Sequence, residues 1–162
     1  MPGFELIGEE ERKAVNDLFD DGGILFAHGF DNMRNERYHV REFERQFADY
    51  LGVKYAQAVS SGTAALKIAL IALGVKPGDE VITQAFTFIA TAEAIIDIGA
   101  KPVFVNINET LNMNPDELES CITNKTTAII PVHMLGVAVE QDKIHAIANK
   151  YNIPVLDDAC ES

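Results

Sequence analysis

From Tyr55 onward the chain alternates short apolar runs with helix-period segments, and few architectures accept that order. Runs of strand length stand at 56–59, 81–83, 102–105, 128–132 and 155–158, each bounded by turn residues. Between them lie helical stretches at 64–73, closed by Gly74, at 88–98, closed by Gly99, at 115–122, and at 142–151, closed by Asn152. Asn114, Pro115 and Glu117 have the order of an N-cap, a first helical proline and a capping-box acid. Several of the strands lack alternation, as strands covered on both faces do. The pattern predicts an α/β fold of three layers, α/β/α, with a mostly parallel sheet.

Two helices precede this layer. Residues 9–21 carry Val15, Leu18 and Phe19 on one face behind an acidic first turn and stop at Gly22-Gly23. Residues 40–51 place Val40, Phe43, Phe47 and Leu51 on one face, and Gly52 caps them. Between the two, residues 24–39 mix aromatics, amides and bases without a period. The expected division is a helical segment and loop over 1–52 and the α/β layer over 53–162.

The 162 residues suffice for a good core, and 48% apolar with 23% charged residues reads as globular. Thirteen Lys and Arg against 25 Asp and Glu leave a formal charge of −12, which opposes nucleic acid or an anionic membrane as partner. An anionic ligand therefore needs local help. The opening residues have neither a basic nor an apolar leader region, and no run approaches the length of a membrane span, so a cytoplasmic protein is expected. Cys121 and Cys160 have no metal-ligand spacing, no metal site is expected, and both read as buried free thiols.

Local help for an anion is available at Ser60-Ser61-Gly62-Thr63-Ala64-Ala65-Leu66, where a strand-length run turns into a helix. Helix N-termini present unpaired N–H groups and a partial positive charge, and Gly62 lets an anion approach the backbone. The same letters make an ordinary N-cap. In a parallel sheet ligands sit outside the carboxyl ends of the strands, where the last run delivers Asp157-Asp158 and the 81–83 run delivers Gln84 to Phe88. An anion site, a carboxylate and an aromatic ring at one rim suit a phosphorylated, protonated heterocycle. Alternatives stand beside each residue: Asp158 as a strand-end cap, Phe88 as a core aromatic, His133 as a substrate contact or a histidine bonded to backbone. Arg34, Arg37 and His39 either meet an acidic substrate or form a solvated face.

Taken in order, Ser-Ser-Gly-Thr-Ala-Ala-Leu, Pro77-Gly78-Asp79-Glu80-Val81-Ile82, Phe86-Thr87-Phe88, Pro131-Val132-His133 and Leu156-Asp157-Asp158-Ala159 resemble the N-terminal half of the DegT/DnrJ/EryC1/StrS sugar aminotransferases. The resemblance implies an aspartate-aminotransferase-like fold, a dimer when full length, pyridoxal 5′-phosphate (PLP) as cofactor, and amino transfer from an amino-acid donor, commonly glutamate, to a keto-sugar. It places Gly62 and Thr63 at the cofactor phosphate, Phe88 on the pyridine ring, and Asp158 opposite the pyridine nitrogen. Glu161 falls where the family more often has Gln or His beside the cofactor. Arg34 and His133 are the substrate candidates. Asn106 stands where many members have Asp, and Ser60 where many have Asn. Residues 1–6 and Asn32-Met33-Arg34-Asn35 are similar to a narrower branch that aminates an 8-oxo derivative of 3-deoxy-octulosonate for lipopolysaccharide.

The resemblance puts the Schiff-base lysine beyond Ser162, so no catalytic residue is assigned among those present. The chain also stops directly after an apolar strand, and the expectation is of a longer protein whose remaining part supplies a small C-terminal domain. Two other functions suit the same motifs: a sugar dehydratase using PLP or pyridoxamine phosphate (PMP), with histidine in place of that lysine, and a non-catalytic PLP-binding regulator. A dinucleotide-binding fold is disfavoured because no G-x-G-x-x-G follows any strand.

Overall fold

Three parallel strands, β1 (Glu80–Gln84), β2 (Lys101–Val105) and β3 (Thr126–Ile130), lie in the order β2-β1-β3 in a computed structural model that describes residues 4–162. The chain divides into two units, Met1–Ala58 and Val59–Ser162, and the sheet belongs to the second. β1 pairs with β2 from Glu80↔Lys101 to Gln84↔Val105, and with β3 from Val81↔Ala128 to Thr83↔Ile130. Edge position suits β2, since its Pro102 has no N–H to give to a further strand.

Successive side chains of a strand face opposite ways, and here they build two cores. Val81, Ala128 and Ile130 pack with Leu66 and Leu70 of α3 (Gly62–Ala72) and with Ala94 and Ile95 of α4 (Ile89–Asp97). Ile82 and Ile129 pack on the other side, with Leu118 of α5 (Pro115–Leu118), Ile144 and Ala148 of α6 (Gln141–Tyr151), and Met113. Each fully buried Ile or Leu contributes about 1.5–3 kcal/mol. A sheet of this kind needs helices above and below, and the three expected layers are present.

The crossovers explain which helix lies where. β1 connects through α4 to β2 on one side, whereas β2 connects through α5 to β3 on the far side of β1. Right-handed connections that run in opposite directions must cross on opposite faces. Their carboxyl ends meet where the direction reverses, between β1 and β3, which is where open α/β sheets bind ligands.

Two expected strands are absent. Residues 56–59 form none: Glu44 Oε1 accepts the Ala58 N–H at 2.8 Å and the Gln57 amide at 2.7 Å, so a side chain of α2 (His39–Leu51) holds this stretch within the first unit. Residues 155–158 run parallel to β3 but are reduced to isolated bridges, Ile129↔Val155 and Val132↔Asp158. The cause is Pro131, which has no N–H to donate at the intervening rung. The Asp158 N–H still reaches the Pro131 carbonyl at 3.0 Å, and the His133 N–H reaches that of Asp158 at 3.0 Å.

Helix ends follow local chemistry. Glu11 accepts the Gly8 N–H at 2.7 Å ahead of α1 (Glu9–Asp20), and Gly52 and Asn152 close α2 and α6 in the left-handed region. The box expected at Asn114 is altered. Asn114 caps the Asp116 N–H at 3.1 Å, but its own N–H goes to the Asn106 carbonyl. Glu117 instead accepts the side-chain amides of Asn114 at 3.1 Å and Asn106 at 2.7 Å.

Gln84, fully buried at the end of β1, ties the loops of the carboxyl rim together. Its Oε1 accepts the N–H groups of Met113 at 3.0 Å and Val132 at 3.1 Å, while Nε2 donates to the carbonyls of Phe86 at 2.9 Å and Leu111 at 3.3 Å. Gln84→Leu keeps the volume and orphans four backbone groups. Urea denaturation is expected to show a loss of at least about 2 kcal/mol, because each unsatisfied buried group costs about 1–3 kcal/mol.

Candidate functional site

α3 begins at the motif that the sequence singles out. Ser61 is its N-cap: the side-chain oxygen accepts the Ala64 N–H at 3.1 Å, and the Ser61 carbonyl accepts that of Ala65 at 3.0 Å. The first N–H groups of a helix have no intrahelical acceptor, which leaves those of Gly62 and Thr63 directed away from the helix start. Cap and anion-binding turn are thus compatible in one segment, since Ser61 occupies only part of it. Gly62 is needed for space: a Cβ there would stand 3.1 Å from the Cys160 Sγ.

That proximity joins the two ends of the second unit. Gly62, Ala65, Leu66 and Ala69 of α3 line a cavity of about 270 Å³ whose opposite wall runs from Leu156 to Cys160 and includes Asp158. Asp158 is only 4% exposed. Its Oδ2 accepts the Thr91 hydroxyl at 2.9 Å, and its Oδ1 accepts the Cys160 N–H at 3.2 Å. A carboxylate has about four acceptor directions, so capacity remains for a cationic or N–H group of a ligand. The cavity therefore has the start of α3 on one wall and a buried acid on the other, and Thr63, Phe88 and Glu161 are not among the residues that line it.

The remaining candidates are distributed around this core. Thr63 is half-buried beside Gly62. Phe88, the residue before α4, is 68% exposed, which corrects the reading of a core aromatic and leaves its ring available. Glu161 accepts the Leu135 N–H at 3.4 Å. His133 is buried, with Nδ1 accepting the Val139 N–H at 3.3 Å and Nε2 lying 3.3 Å from Asp157 Oδ1. Accepting at Nδ1 assigns the ring proton to Nε2, which then donates to Asp157.

Arg34 belongs to the first unit, and its surroundings rule out the solvated-face alternative. At 7% exposure, its guanidinium donates to the carbonyls of Phe26, His28 and Gly29 and lies 5.3 Å from the Tyr38 ring centroid. Arg37 pairs with Asp21. Among the described residues no group of three or more His, Cys, Asp or Glu is placed to hold a metal ion, and no helix is long and apolar enough to cross a membrane.

Thr91 and Cys160 are the residues that sequence reasoning missed. Thr91 is one threonine in an apolar helix, and only its place one turn after Thr87 hinted at a polar pair; the two hydroxyls lie 2.9 Å apart. Cys160 is exposed rather than buried. Its thiol donates to Asp158, and that bond, with partial burial and the charges of Asp158 and Glu161, pushes the thiol up to about 11. A raised thiol is protonated below its own titration and reactive only above it. Alkylation of Cys160 by iodoacetamide at pH 8 is expected to run roughly 100-fold slower than for a free thiol of pKa about 8.5, rising through pH 11. Asp158→Asn should abolish most of that protection in the same mass-spectrometric assay.

Known proteins resemble this chain. A UDP-2-acetamido-2-deoxy-3-oxo-D-glucuronate aminotransferase of Pseudomonas aeruginosa is 52% identical over 124 residues, covering 76% of this chain and 34% of that protein. The spore coat polysaccharide biosynthesis protein SpsC of Bacillus subtilis is 42% identical over 158 residues, covering 97% of this chain and 38% of that one. The solved structure of NtdA from Bacillus subtilis with bound PMP matches with a TM-score of 0.82 at 37% identity, over 95% of this chain and 34% of NtdA. The chain spans less than two fifths of the length of these curated relatives. The pattern of the DegT/DnrJ/EryC1/StrS aminotransferase family matches residues 8–162, and the chain belongs to that family.

Proposed function

We propose that the protein carrying this chain is a PLP-dependent aminotransferase that moves an amino group from glutamate to a keto-sugar. The observation that carries the reading is that Gly62 and Asp158, about a hundred residues apart, line one cavity. PLP fits what is present: two N–H groups of α3 for its phosphate, and a buried acid with free acceptor capacity for its ring nitrogen. Family membership and the PMP held by NtdA support the same group.

In this reading Gly62 and Thr63 hold the phosphate, Phe88 covers a face of the ring, and Asp158 keeps a negative charge opposite the ring nitrogen. When bound, the cofactor supplies the electron sink for proton removal at carbon. Asp158 strengthens that sink by favouring the protonated ring, because an opposite charge nearby stabilises the cation. Glu161 stands beside the cofactor, and its bond to the Leu135 N–H orients the carboxylate. His133 is held by Val139 and Asp157, so its ring meets substrate in one orientation. Arg34 acts on substrate through the loop it fixes rather than through a free guanidinium.

The finer reading names the acceptor and the assembly. We take the acceptor to be 8-oxo-3-deoxy-octulosonate, on the similarity of residues 1–6 and 32–35 to that branch; residues 1–3 lie outside those described. A homodimer, with residues 53–162 as part of the PLP-binding large domain, follows the family pattern.

The test uses the full-length gene product. Incubation with PLP should give a bound chromophore that changes on adding glutamate, and the 8-oxo sugar should restore the first spectrum. Failure to bind PLP overturns the reading. A spectrum restored only by a nucleotide-linked keto-sugar overturns the acceptor alone. Asp158→Asn should retain PLP and lose at least about 100-fold in turnover, a loss of the size seen for a key electrostatic contact in other enzymes.

A further inference from the structure

We propose that Thr91 is a positioning residue, one that holds Asp158 fixed as an acceptor for the cofactor's ring nitrogen. This rests on the PLP reading above and adds a residue that the reading does not require. Thr91 is 1% exposed and sits in the first turn of α4, whose Ala94 and Ile95 are anchored in the core beneath β1. A β-branched side chain on a packed helix has few rotamers, so its hydroxyl is delivered to one place. That place is 2.9 Å from Asp158 Oδ2.

Proton direction makes the contact specific. The Cys160 N–H can only donate, so Asp158 Oδ1 is an acceptor whatever the rest of the site does. A hydroxyl carries one proton. With Asp158 ionised, Thr87 donates to Thr91 and Thr91 donates to Asp158, through two contacts of 2.9 Å each. With Asp158 protonated on Oδ2, the line runs backwards, and its last donor, Thr87, is left with the Phe88 carbonyl at 3.4 Å. The two orders share the same 2.9 Å contacts and differ at Thr87, whose bond to Thr91 is shorter than its 3.4 Å alternative, so the forward order, with Asp158 as acceptor, has the better geometry. Hydrogen bonds to ionised groups are about twice as strong as neutral ones, so the pair holds the carboxylate in one orientation beside the cavity.

Substitutions in the full-length gene product test this, with two readouts that need no turnover. One is the dissociation constant for PLP, from fluorescence of the cofactor-free protein. The other is the resonance of the ring nitrogen in bound 15N-labelled PLP, which reports its protonation. Thr91→Val, which keeps the shape and removes the donor, should weaken PLP about tenfold and move the resonance toward the unprotonated ring. Thr91→Ser should restore both. Thr87→Val leaves the Thr91 hydroxyl in place and should give a two- to threefold effect in the same direction, roughly the share of a second bond in a polarised line; it serves where Thr91→Val does not fold.

Wild-type affinity and resonance in Thr91→Val overturn the proposal and leave the PLP reading intact. Equal damage in Thr91→Val and Thr91→Ser also overturns it, since the hydroxyl would then be immaterial. If Thr91→Val does not fold, an unchanged Thr87→Val overturns it. Absence of PLP binding by the wild-type protein removes the function and this inference together.

Discussion

Burial of β1 on both faces is the constraint from which the rest of the second unit follows. Val81 and Ile82 point to opposite sides and are both fully enclosed, so the strand can neither slip by one residue nor lose either helical layer. Parallel pairing on both edges of β1 then places three carboxyl ends at one rim. Two crossovers running in opposite directions put α4 and α5 on opposite faces and open a switch point between β1 and β3.

At that rim the apolar core gives way to a small set of buried polar side chains, each with its hydrogen bonds made. Gln84 holds the loops after β1 and β3, Asn112 accepts the Met134 N–H at 2.9 Å, and Thr91 meets Asp158. Among the described residues no buried side-chain nitrogen or oxygen is without a partner. An enclosed group left unpaired is costly, so such a network holds its members in one arrangement. Asp158 differs from the others in facing a cavity with acceptor capacity unspent, and Gly62 lies across from it. The proposed chemistry uses that difference.

Much of this arrangement was legible in the residues. Alternating apolar runs and helical periods mark β1, β2, β3 and the helices around them, because two-sided burial leaves strands without alternation and glycines close the helices. The runs at 56–59 and 155–158 look the same in composition and are not ladders. What separates them lies outside their own letters: Glu44, fourteen residues from Ala58, takes the N–H that a strand would give, and Pro131 removes a rung from a partner strand. The cap at Ser61 and the acid at Asp158 were visible as types in position. Thr91 was not, since a threonine among alanines and isoleucines reads as filler until the fold brings a carboxylate 67 residues away onto its hydroxyl. Arg34 shows the opposite case: a basic residue in an aperiodic loop suggests substrate or solvent, whereas three carbonyls enclose it.

The convergence of two distant segments on one flat coenzyme is tested most directly by a crystal structure of the full-length gene product grown with PLP. Phosphate oxygens about 3 Å from the Gly62 and Thr63 N–H groups, with the ring nitrogen about 3 Å from an Asp158 oxygen, are the predicted result. PLP seated elsewhere, or bound with its ring nitrogen turned away from Asp158, would contradict it.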